Sequence, residues 1–64
     1  MIVQSWDTAN KAGELNDYSV CTTWGLCDGK FYLLHVYRMR LNFPLLKRAA
    51  KELYERFDPR KVVI

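Results

Sequence analysis

Residues 18–40 read YSVCTTWGLCDGKFYLLHVYRMR, and their reading decides the fold. Asp28-Gly29 divides the stretch into two runs of similar length, 18–27 and 30–40. Both runs are rich in Val, Thr, Tyr, Phe, Leu or Trp, and the β-branched and aromatic residues among these suit a pleated surface. An Asp-Gly pair between two such runs is a hairpin signal, because a type I′ turn needs positive φ at both central positions. If Cys27 faces Lys30, an unbroken register follows. It sets Trp24 opposite Leu33, Thr22 opposite His35, Val20 opposite Tyr37 and Tyr18 opposite Met39. On the second face it sets Cys21 opposite Val36, Thr23 opposite Leu34 and Gly25 opposite Tyr32. Both faces are largely apolar, whereas a sheet wetted on one side alternates cleanly. The hairpin therefore reads as one to be covered on both sides near its middle.

Downstream, Leu45, Leu46, Ala49, Ala50, Leu53, Tyr54 and Phe57 recur at the spacing of one helical stripe. The spacing predicts a helix over 43–57. Pro44 suits its first turn, where a missing N–H costs nothing, and Asn42 is placed to cap it. Asp58-Pro59 ends it, because the residue before proline is pushed out of the α region. The opposite face carries Lys47, Arg48, Lys51, Glu52, Glu55 and Arg56. Residues 61–64, KVVI, read as the opening of a buried strand. After a crossover helix such a strand lies parallel to an earlier one.

Upstream, residues 1–7, MIVQSWD, form a short apolar strand ending in an acid. Residues 8–17, TANKAGELND, are polar and contain Gly13, which marks a loop. The expected architecture is α+β: a three-stranded antiparallel sheet, one helix and a short fourth strand, in the order β-β-β-α-β.

Composition bounds the rest. Sixty-four residues allow one small domain, 1–64. With 50% apolar and 14% aromatic residues the chain is not a disordered one. No apolar run approaches the ~20 residues of a membrane span. Asp7, Asn10 and Lys11 fall where a signal peptide would be apolar, so the expected location is cytoplasmic. Cys21 and Cys27 on one strand would stand about 20 Å apart, too far for a disulfide. Two cysteines and a single histidine also fail the pattern of a zinc site. A domain of this size buries only about 60% of its unfolded surface, which points to a partner as a source of further stability.

Candidate chemistry lies at one rim of the sheet. Asp7 ends the first strand and Asp17 precedes the second, and in an antiparallel pair those ends adjoin. Two carboxylates there offer the oxygen ligands that Mg²⁺ or Mn²⁺ prefers; turn acids flanking a polar loop are the alternative. The segments SWDTA, GELNDYSVCTTWG and LNFPLLK, at 5–9, 13–25 and 41–47, carry a resemblance. Nearly the whole chain resembles the start of the C-terminal nuclease domain of tailed-phage terminase large subunits. The resemblance implies a ribonuclease H-like fold and two-metal hydrolysis of DNA phosphodiesters during genome packaging. It implies Asp7 as a metal-binding catalytic acid and, less firmly, Asp17 as an accessory acid. In the family an acid follows the VVI strand directly and another comes much later. Neither is found by Ile64, and no Gly-x-x-x-x-Gly-Lys-Ser/Thr loop of the family's motor domain occurs. The expectation is a prophage-derived fragment that does not cut DNA by itself.

The remaining residues divide between bland and functional readings. His35 reads as a packed or surface histidine, and Trp6 and Trp24 as core or partner-facing aromatics. Lys47, Arg48 and Lys51 read as a solvated face interrupted by Glu52 and Glu55, or as a weak phosphate-tracking patch joined by Arg38 and Arg40. Three functions stay open: a residual metal-dependent nuclease, a nucleic-acid-binding module without catalysis, and a self-associating polypeptide. A homodimer is expected, because one helix covers one sheet face only.

Overall fold

The computed structural model describes residues 1–8 and 18–64. Strands β1 (Ile2–Asp7), β2 (Ser19–Cys27) and β3 (Lys30–Met39) precede helix α1 (Phe43–Phe57) and strand β4 (Lys61–Val63). The sheet order is β3-β2-β1-β4. β1 and β2, and β2 and β3, pair antiparallel, whereas β4 runs parallel to β1. The sheet is thus mixed, and the expected α+β architecture is present element for element. The ladders continue past the strand ends, where Leu26 N–H donates to Met1 O at 2.7 Å and Arg60 N–H to Ile2 O at 2.7 Å.

The turn between β2 and β3 is the expected one. Asp28 and Gly29 have φ of 52° and 73°, and Cys27 pairs with Lys30. From there the register runs as the sequence predicts through Trp24 and Leu33, and then it breaks. Thr23 pairs with His35, so β3 carries one extra residue, Leu34, at a bulge. The pairs beyond it differ from expectation: Thr22 faces Val36, Cys21 faces Tyr37, Val20 faces Arg38 and Ser19 faces Met39. Thr22–His35, Val20–Tyr37, Tyr18–Met39, Cys21–Val36 and Thr23–Leu34 do not form. A one-residue offset moves every later side chain to the other face. Tyr37 thereby reaches the covered face, where its ring meets Trp6 edge-on at 6.4 Å. The Leu34 side chain lies over Gly25, where a Cβ would come within 3.4 Å of it.

α1 is capped at both ends by residues the sequence marks. The Asn42 side chain accepts a hydrogen bond from Leu45 N–H at 3.0 Å. At the other end Asp58 takes the left-handed conformation, φ 47°, and its N–H donates to Tyr54 O at 2.9 Å. Ala49 and Leu53 are buried against Trp6 and Cys21, with Leu46, Ala50, Phe57, Tyr37 and Leu41 packed around them. The buried stripe is narrower than the apolar one, since Leu45 and Tyr54 remain exposed. His35 leans on Phe57 with ring centroids 5.2 Å apart, in the packed role expected of it.

α1 covers one face only. The other face presents Trp24, Phe31, Leu33, Val36 and Val63, and Phe31 is 64% exposed. Both cysteines are free, but they are not alike: Cys21 is buried and Cys27 exposed. Among the described residues no helix is long and apolar enough to cross a membrane.

Candidate nucleic-acid interface at the Asp7 end of the sheet

Asp7 is the last residue of β1 and is exposed. It pairs with Val20 of β2, and Val20 pairs with Arg38 of β3. Directly paired residues of antiparallel strands share a face, so Asp7, Val20 and Arg38 form one row on the face opposite α1. At ~4.8 Å per strand, the Asp7 and Arg38 backbones lie about 10 Å apart. The bulge creates this row. In the unbroken register Arg38 would face Ser19 and lie under the helix.

Arg38 and Arg40 converge on Tyr18. Their guanidinium carbons stand 3.6 Å and 4.7 Å from its ring centroid, inside the range of cation–π attraction. Tyr18 was no candidate in the sequence, where it is one of several strand-forming aromatics. The signal that would have found it is the bulge, and nothing in the residues around Leu34 marks one.

The other predicted cations lie elsewhere. Lys47 and Lys51 line an apolar groove of about 600 Å³ on the helix side, with Gln4, Trp6, Leu46, Tyr54 and Val62. Arg48 is exposed on α1 and does not line that groove. The five predicted basic residues therefore divide between two sides of the sheet and form no single patch.

Asp17 lies outside the described residues. Among the described residues no three His, Cys, Asp or Glu side chains come together. Mg²⁺ and the similar Mn²⁺ take about six oxygen ligands, several of them waters, usually with more than one anionic group. One exposed carboxylate at a strand end does not supply that set, so the described residues do not fit the ion.

The chain matches the family model of the terminase RNaseH-like domain over residues 4–64. It belongs to the terminase RNaseH-like domain family. No curated protein and no solved structure gave a match. The resemblance read from SWDTA, GELNDYSVCTTWG and LNFPLLK is thereby borne out over almost the full chain. All five elements of this terminase RNaseH-like domain fall within the matched residues, apart from the first two of β1. The match brings with it a family of phage DNA-packaging proteins and, in general, metal-dependent chemistry.

Proposed function

We propose that this chain is part of a terminase nuclease, that its Asp7 belongs to the acidic site acting on DNA phosphodiesters, and that the chain by itself does not cut DNA. The observation that supports the reading is the place of Asp7: exposed, at the end of an inner strand, on the uncovered face and in one row with Arg38. A carboxylate there is open to a substrate that lies across the strand ends, and an arginine in the same row attracts an anionic one. The family suggests the substrate class, phage DNA. The inactivity is supported by the donors among the described residues, where no three His, Cys, Asp or Glu side chains come together, whereas two-metal hydrolysis needs ligands for two ions. Supercoiled plasmid incubated with the purified chain and Mn²⁺ should stay supercoiled. Nicking that disappears in Asp7→Ala would overturn the inactivity and establish Asp7 as catalytic.

The uncovered sheet face favours a second property, self-association through a second copy of the chain. Trp24 and Phe31 meet edge-on there at 6.4 Å, and Leu33 and Val36 stand beside them half exposed. Apolar area of this kind is the usual core of a two-fold contact.

A further inference from the structure

Stacking against a ring occupies the flat face of a guanidinium and leaves its in-plane N–H donors free. Arg38 and Arg40 both hold their guanidinium carbons over the ring of Tyr18, which is itself 38% exposed. The ring restrains two long side chains before any ligand arrives, so less rotamer freedom is lost on binding. The arrangement also brings two like charges to one ring, and neither arginine forms an ion pair with a described residue. Their mutual repulsion falls when an anion with several oxygens accepts hydrogen bonds from both forks.

Position narrows the choice of anion. Arg38 shares its row and its face with Asp7, two strands away. Arg40 lies two residues further along the chain, beyond the end of β3, where Tyr18 precedes β2. Two adjacent forks suit a repeating anion better than a single small one, because each fork takes a phosphate bidentately. We infer that Tyr18, Arg38 and Arg40 form a site for the phosphodiester backbone of DNA, holding the phosphates beside the one that lies at Asp7. Arg38 and Arg40 make the contacts, and Tyr18 is a positioning residue that acts through them. The choice of DNA rests on the nuclease reading above, but the binding needs neither Asp7 nor a metal.

The test is fluorescence anisotropy of a labelled duplex with the full chain in EDTA, over roughly 50 to 200 mM salt. Arg38→Ala and Arg40→Ala should each weaken binding roughly tenfold at the low-salt end and reduce the salt slope by about 1. Tyr18→Leu, which keeps both charges, should weaken binding by a smaller factor and leave the slope nearly unchanged. Arg56→Ala is the control: Arg56 also holds its guanidinium carbon over an aromatic ring, that of Phe57, at 5.0 Å, but on α1. It should bind as the unaltered chain does. Circular dichroism of every variant separates lost contacts from lost folding. The inference is overturned if the unaltered chain does not bind, or if Arg38→Ala and Arg40→Ala bind normally. It is equally overturned if Arg56→Ala loses as much, or if polyglutamate competes as well as DNA of equal charge. Plasmid nicking tests the inactivity separately, so that expectation and this binding can each fail without the other.

Discussion

The Gln4 side chain ties the sheet to the helix backbone: its Nε2 donates to the Leu53 carbonyl at 3.1 Å and lies 3.3 Å from Thr23 Oγ1. Gln4 is almost fully buried, and its Oε1 has no partner among the described residues. Two opposed effects meet in one amide. Each hydrogen bond contributes about 1 kcal/mol, while a buried, unpaired oxygen costs about 1–3 kcal/mol. Gln4→Leu should therefore leave stability within about 1 kcal/mol of the unaltered chain. Gln4→Ala opens a cavity as well and should cost about 2–3 kcal/mol. Urea unfolding of both variants checks the pair. A Leu variant that falls as far as the Ala variant would mean that the hydrogen bonds, and not the volume, hold Gln4 in place.

Leu53 is the one leucine that α1 buries, at 5% exposure, against Trp6 and Cys21. Leu53→Ala should cost about 2–5 kcal/mol. Since a domain of this size has about 5 kcal/mol in all, the variant should be largely unfolded at 37 °C. Leu45→Ala, in the same helix but exposed, should change stability by no more than about 0.5 kcal/mol. Equal melting temperatures for the two variants would show that α1 is not docked through Leu53.

The two thiols should separate by reactivity. Cys27 is exposed at the end of β2, whereas Cys21 is fully buried. Native-state alkylation should modify Cys27 at once and Cys21 only after denaturation, without any reductant. Burial also pushes the Cys21 thiol above its ordinary value of 9.0, an effect partly offset by a hydrogen bond with Thr23. The unfolded chain then releases this proton at lower pH than the folded one. The contribution of Cys21 is complete below about pH 9 and declines as pH rises above it. Cys21→Ala should flatten that decline, and parallel slopes for the two proteins would contradict it.

Self-association should use the half of the uncovered face nearest the hairpin turn. Phe31, Leu33 and Trp24 lie there, while Trp6 is buried beneath α1 and unavailable to a partner. Sedimentation equilibrium at micromolar concentration should give a dimer, and Leu33→Glu should give a monomer with unchanged helix content. A monomer at every concentration would show that this face stays wet.

The fold was largely legible because its signals are local. Asp28-Gly29 fixes the turn, Asn42 and Pro44 start the helix, and Asp58-Pro59 ends it within a few residues of each decision. The position of Asp7 at the end of β1 was legible for the same reason, since it closes an apolar run. The arginine–tyrosine cluster was not. It depends on which face the far half of β3 presents, and that is settled by Leu34, whose neighbours Leu33 and His35 would fit either register. The basic helix face misled in a second way. Lys47 and Lys51 lie on the polar side of a helical wheel, yet their long stems border an apolar groove.

Counted in codons, Leu34 is a hinge of parity. The positions after it point where they do because one extra residue, not a particular residue, precedes them in the ladder. Point substitutions at Tyr37, Arg38 or Met39 change what stands at an address but never the address itself. Loss of the single Leu34 codon would leave charge untouched and composition nearly so. It would nevertheless turn Tyr37 away from Trp6 and send Arg38 under the helix, unpaired with Asp7's row. In this hairpin one in-frame deletion would therefore erase both the packing of a core aromatic and the place of Arg38 in Asp7's row, a joint loss that no single substitution reproduces.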